Sequence, residues 1–76
     1  MVRFEVLKSE QIKFGRNKFL EVARKKAITQ AGENEFISLS KGFFTRSGEK
    51  RYKSNFAIPL NEEVATFVSQ KILEML

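Results

Sequence analysis

The sequence predicts an α+β chain in the order ββββα, a curved four-stranded antiparallel sheet followed by one C-terminal helix. Three observations lead there. Apolar and polar residues alternate with period two in stretches that begin near Val2, Lys18, Phe36 and Tyr52, the mark of strands with one face buried. Polar, glycine-bearing breaks separate those stretches at Gly15-Arg16-Asn17, Ala31-Gly32-Glu33-Asn34 and Arg46-Ser47-Gly48-Glu49-Lys50, and such breaks reverse a chain. Beyond Pro59, the only proline, the period lengthens to that of a helix. With 76 residues there is room for one hydrophobic core and no second domain.

Val2 to Val6 reads apolar, basic, apolar, acidic, apolar, and Ile12 and Phe14 continue the alternation around Lys13. Residues 1–11 are expected to form an N-terminal strand or arm ahead of a domain spanning 12–76. In the second strand, Lys18 to Ile28, Leu20 and Val22 share one side while Phe19, Glu21, Ala23 and Lys25 share the other. The aliphatic side is expected to be core and the other side wet. Phe36 to Ser40 gives the third strand, with Ile37 and Leu39 as the expected buried pair. Gly42, just ahead of Phe43 and Phe44, predicts a bulge or bend that curves the sheet. Past the hairpin tip, Tyr52, Ser54, Phe56 and Ile58 alternate with Lys53, Asn55 and Ala57 up to Pro59. Periodicity places Phe14, Phe56 and Phe67 inward.

Leu60-Asn61-Glu62-Glu63 reads as a helix start. Asn61 can accept from the free amides, and the two glutamates meet the positive end of the helix dipole. At about 100° per residue, Val64, Phe67, Val68, Ile72, Met75 and Leu76 cover roughly half the circumference, with Lys71 intruding. The stripe predicts a helix laid over one face of the sheet. Its width also predicts a second copy, with Phe67, Val68, Ile72 and Met75 as the dimer interface. A domain of this size buries only about 60% of the surface its unfolded chain exposes, so a homodimer adds burial where it is needed.

Cysteine, histidine and aspartate are all absent. Disulfides, zinc clusters and thiol or Ser-His catalysis are therefore excluded, and an enzyme of any kind is not expected. The four glycines at 15, 32, 42 and 48 form neither GxGxxG nor GxxxxGK[ST], so no nucleotide cofactor is expected. No metal is expected either, because its carboxylates would have to come from glutamate alone, of which Glu62 and Glu63 already serve the helix start. No apolar run approaches a membrane span of about 20 residues, and MVRFEVLKSE alternates charge where a signal peptide would be continuously apolar. The expected location is intracellular, in the cytoplasm, nucleoid or nucleus, with no membrane partner.

The charge is segregated. The 14 Lys and Arg exceed the 9 acids, all glutamate, for a net charge of +5. Lys13, Arg16, Lys18, Arg24, Lys25 and Lys26 face only Glu21 in one window, and Lys41, Arg46, Lys50, Arg51 and Lys53 face only Glu49 in another, so the remainder is net acidic. Two dense basic windows suggest a positive face directed at a polyanion, with nucleic acid the commonest candidate. If the helix covers the aliphatic face, alternation leaves Lys13, Phe19, Lys25, Phe36 and Lys53 on the open one, together with Phe44 unless a bulge at Gly42 reverses its phase. Cations beside flat rings suit single-stranded nucleic acid, whose phosphates take Lys and Arg and whose unstacked bases take aromatic faces. The same composition would also serve a module that docks an acidic protein partner.

The residues resemble a known family, the positive cofactor four type of single-stranded-DNA-binding transcriptional coactivators, over about residues 12 to 70. IKFGRNKFLEVARK is similar to that family's opening strand, turn and basic second strand, EFISLSKGFFTRSGEKRYK to its central hairpin, and IPLNEEVATF to its step into a capped helix. The resemblance implies a curved ββββα homodimer whose basic aromatic groove holds single-stranded DNA with little sequence preference, with RNA as the nearest variant. It implies partners among transcription or replication proteins. Lys13, Arg16, Lys18 and Arg24 match the family's basic positions, and Phe43 and Phe44 match its aromatic pair. Phe56-Ala57-Ile58 stands where the family usually has a basic residue before Gly-Ile, and Phe67 where tryptophan is common. The full set of expected nucleic-acid contacts is Lys13, Arg16, Lys18, Phe19, Arg24, Lys25, Phe36, Lys41, Phe44, Arg46, Arg51 and Lys53.

Overall fold

A computed structural model of the chain describes residues 2–76. The strands are β1 (Arg3–Phe14), β2 (Lys18–Thr29), β3 (Gly32–Phe44) and β4 (Lys50–Pro59), followed by α1 (Glu62–Glu74). They form one antiparallel meander in the order β1-β2-β3-β4, so the expected ββββα architecture is present. Of the N-terminal segment expected as strand or arm, residue 1 lies outside the described residues and residues 3–11 are strand, continuous with residues 12–14 rather than a separate element. Together these residues form β1, which pairs with β2 along its length, from Arg3↔Ile28 to Phe14↔Lys18.

Each reversal has a local cause. Gly15 (φ 57°) and Asn17 (φ 60°) take the left-handed conformations that turn β1 into β2. The β2–β3 turn comes slightly earlier than expected, at Gln30-Ala31. Thr29 fixes it, its Oγ1 donating to the Gly32 carbonyl and accepting from the Ala31 N–H, each at 3.1 Å. Asn61 caps α1 by accepting the Val64 N–H at 3.0 Å, with Glu62 and Glu63 in the first turn.

Two irregularities shape the sheet. Val6 pairs with Lys25 but Lys8 with Arg24, which leaves Leu7 as an extra residue in β1. Lys41 pairs with Ser54 but Gly42 with Tyr52, which leaves Lys53 extra in β4. Such bulges bend and twist the strand that carries them. The bend expected at Gly42 is therefore present, although the inserted residue lies on the partner strand. Gly42 is required by close approach: a Cβ there would meet the Arg51 carbonyl oxygen and lie 2.7 Å from Cε1 and Cζ of Phe19.

The helix does not cover the sheet as expected. It meets β4 alone, none of its residues is buried, and the molecule is only 17 Å deep in its thinnest direction. Burial is consequently the reverse of the sequence expectation. On the aliphatic side Ile12, Leu20, Val22, Phe43 and Phe56 are exposed, and of the residues expected inward Phe14, Phe56 and Phe67 are exposed as well. Ile37 and Leu39 are only half-buried, and Ile58 is the one buried large apolar residue of that side among the described residues. On the side expected to be wet, Phe19, Glu21, Ala23, Ser38 and Ser40 are buried although no element lies over them. Strand curvature accounts for this, since a bulged sheet folds its concave side around its own central side chains.

Candidate functional site

The concave face is built from alternate residues of all four strands. Lys13 stands opposite Phe19, and Phe19 opposite Gly42; Lys25 stands opposite Phe36, and Ser40 opposite Asn55. At the centre Phe19 is 0% exposed. Its ring lies 5.3 Å from that of Phe44 and 5.4 Å, edge to face, from that of Tyr52. This corrects the expectation that Phe19 offers a stacking surface: it is the floor of the concave face, and no base can reach it.

Beside it sits a charged cluster. Lys50 Nζ donates to Glu21 Oε2 and to Gln11 Oε1, each at 2.7 Å, and lies 4.7 Å above the Phe19 ring. The Tyr52 hydroxyl donates toward both Glu21 oxygens at 3.0 and 3.2 Å. The Lys50 hydrogen bond is the main reason the Glu21 carboxyl titrates below its ordinary value; burial opposes this, and the Tyr52 hydrogen bond reinforces it. The same bond to Glu21 chiefly raises the Lys50 amine. The cluster ties β1, β2 and β4 together and neutralises Lys50, so Lys50 serves the scaffold. Ser38, Ser40 and Asn55 complete the central strip, with Ser38 Oγ donating to Asn55 Oδ1 and Asn55 Nδ2 donating to Ser40 Oγ, each at 3.2 Å.

Two open regions flank this centre. At the hairpin tips Lys13, Lys18, Phe44 and Arg46 line a polar cavity of about 460 Å³ with Gly15, Asn17, Thr45 and Gly48. The Phe44 N–H donates to the Asn17 carbonyl at 2.7 Å and joins the two tips. Lys13 Nζ rests 4.9 Å above the Phe44 ring. At the other end Phe4, Lys25, Phe36, Asn55 and Ala57 surround a second cavity of about 470 Å³. Phe44 keeps its phase, because the bulge inserts its extra residue into β4.

The twelve expected contacts divide between the two faces. Lys13, Lys25, Phe36 and Phe44 share the concave face with the buried Phe19, while Arg16, Lys18 and Arg46 lie at or beside the hairpin tips. Lys53 is the exposed extra residue of the β4 bulge. Arg24, Lys41 and Arg51 belong by register to the convex, aliphatic face. Ion pairing follows this division only in part. Arg24 is paired with Glu35 at 2.8 Å, Lys26 with Glu33 at 3.3 Å and Arg51 with Glu49 at 3.1 Å. Among the described residues Lys13, Arg16, Lys18, Lys25 and Arg46 have no carboxylate partner, and neither do Lys41 and Lys53. Arg24 and Arg51 are therefore already occupied, as is Lys50 of the concave face, while Lys13, Lys25 and the tip cations Arg16, Lys18 and Arg46 are unneutralised, and so is Lys41 of the convex face.

Sequence reasoning missed Phe4, Lys50, Tyr52 and Asn55. Uniform alternation puts Phe4 with Ile12 and Tyr52 with Phe56, and the bulges at Leu7 and Lys53 move both onto the concave face. Among the described residues no group of three or more His, Cys, Asp or Glu could hold a metal ion, and no helix is long and apolar enough to cross a membrane. Comparison with protein-family models, with curated proteins and with solved structures finds no match to this chain.

Proposed function

We propose that this chain is a non-enzymatic, homodimeric single-stranded-DNA-binding protein with little sequence preference, acting in transcription, replication or repair. The observation that carries this reading is a group of unpaired cations set beside accessible rings. Lys13, Lys18, Lys25 and Arg46 stand without acid partners beside the half-buried rings of Phe44 and Phe36, whereas Arg24, Lys26 and Arg51 of the convex face are each held by a glutamate. The resemblance to the positive cofactor four type supports the same ligand. Binding begins with electrostatic capture of phosphates. Lys13, which rests on the Phe44 ring in the free protein, moves to a phosphate and uncovers the ring for a base. Stacking then adds about 1–3 kcal/mol per base without regard to sequence.

The second copy belongs to the opposite side. Leu20, Val22, Phe43 and Phe56 on the sheet, with Phe67, Ile72 and Met75 on the helix, leave a broad apolar surface bare, and a monomer rarely exposes a patch of that kind. A dimer that covers it leaves the concave face free for DNA.

Titration of a labelled oligothymidine at several salt concentrations tests the reading. Four engaged cations, Lys13, Lys18, Lys25 and Arg46, predict a log–log salt slope of roughly −3, at about −0.7 per phosphate on a single strand. Phe44→Ala, which leaves the net charge unchanged, is expected to weaken binding by about 1–3 kcal/mol with the same slope. An unchanged affinity in that variant would remove stacking from the account. Equal affinity for RNA of the same length would widen the ligand class, and failure to bind at low salt while an acidic protein co-purifies would replace the reading with a protein-docking module.

A further inference from the structure

The cavity at the far end of the concave face was not expected from the sequence, because Phe4 reaches it only through the Leu7 bulge. Phe4 lies in the N-terminal part of β1, ahead of the segment that carries the family resemblance. Resting on the proposed reading of the concave face, we infer that Phe4, Phe36 and Lys25 form a separate nucleotide subsite, which takes one unstacked base and its phosphate at the end of the face opposite the hairpin tips.

Four observations converge on this. Phe4 is 62% exposed although it sits on a concave surface, and its ring meets Phe36 edge to face at 6.2 Å between centroids. That arrangement makes a corner with one aromatic wall and one aromatic floor, where a flat heterocycle can lie on one ring and abut the other. Lys25, on the rim, has no carboxylate partner among the described residues, so its ammonium is free for a phosphate. Its sequence neighbours Arg24 and Lys26 are both engaged by glutamates. Asn55 lines the cavity, and its amide is held by Ser38 and Ser40 through one acceptor and one donor contact. An amide has two donors and two acceptor lone pairs, so Asn55 still has a donor and an acceptor for a base edge, in an orientation fixed by buried serines. The cavity volume of about 470 Å³ falls in the range of small-ligand sites.

Phe36 and Phe44 are separated by at most roughly 26 Å along β3, at about 3.3 Å per residue. A strand that enters at the hairpin tips can thus reach the far cavity only if it is long enough to cross the Phe19 floor. Short oligonucleotides should occupy the tips alone.

The test uses the full chain and oligothymidines of increasing length. Wild-type affinity is expected to rise in a second step once the oligonucleotide can cross the face. In Phe4→Ala that step is lost, with long oligonucleotides bound at least about fivefold more weakly, the lower end of base-on-ring stacking, and short ones bound as by wild type. Because the chain contains no tryptophan, Phe4→Trp places a single reporter in the cavity. Long oligothymidine should quench it, whereas inorganic polyphosphate, which has charge but no bases, should not. Long oligothymidine bound by Phe4→Trp without quenching, or bound equally by Phe4→Ala and wild type, overturns the subsite while leaving single-strand binding intact. Absence of binding by wild type at every length overturns the functional reading itself, and the subsite with it.

Discussion

At the residue scale, the side chains that hold the concave face together differ from those free to act on it. Phe19 has no solvent exposure and supports Phe44, Tyr52 and Lys50, so Phe19→Ala is expected to cost about 3–5 kcal/mol of stability. Phe44→Ala should cost much less stability and lose DNA affinity instead; urea denaturation and oligonucleotide titration on the two variants separate these roles. Glu21 gives the face a pH dependence of defined sign. Its carboxyl is held below the ordinary value of 4.5, chiefly by the Lys50 hydrogen bond. The folded state therefore binds that proton more weakly than the unfolded chain, and the stabilisation is present above pH 4.5 and lost as pH falls through the lower folded value. The Lys50 amine is raised above 10.5 by the same partner, so its share is present at neutral pH and fades only as pH rises through that higher value. Denaturation midpoints measured against pH should show an acid limb in wild type that is flattened in Glu21→Gln. An identical acid limb in the variant would show that this ion pair does not set it.

At the element scale, boundaries were more legible than faces. Strand positions, the Gly15-Arg16-Asn17 reversal and the Asn61 cap follow from local chemistry, and each is present. Alternation also sorted β2 correctly into two sets, Leu20 with Val22 and Phe19 with Glu21, Ala23 and Lys25. It could not tell which set is buried, because that depends on curvature and on what the helix covers, and neither is a property of one strand. Bulges caused the remaining errors. One extra residue inverts the phase of everything beyond it, so Phe4 and Tyr52 were assigned to the wrong side and the far cavity stayed invisible. Part of the curvature depends on Gly42, where any side chain would collide with the Arg51 carbonyl and the Phe19 ring. Gly42→Ala is expected to destabilise the fold by about 1–3 kcal/mol through overpacking, measured by thermal denaturation, and to weaken DNA binding by opening the concave face. A variant as stable as wild type would mean the sheet reaches its curvature without that close approach.

At the scale of the whole molecule, a single layer with one bare apolar face is an incomplete core. Small sheets need packing against another layer to be stable, and α1 does not supply it here because it meets β4 alone. The proposed second copy completes the layer, so sedimentation equilibrium should give the mass of two chains, and Val22→Glu or Phe67→Glu should yield a monomer or an unfolded chain. Dimerisation would set two concave faces in one particle, giving a longer strand two places to bind and a higher avidity than either face alone. The central claim remains chemical: unneutralised cations and accessible rings on the concave face recognise a strand whose bases are unstacked. A competition between single-stranded and duplex DNA of equal length, at low and at moderate salt, tests it most directly. The account predicts preference for the single strand at both salt concentrations, widening as salt removes the shared electrostatic contribution. Equal affinity at low salt, with both ligands lost together as salt rises, would mean that charge alone does the binding and would contradict it.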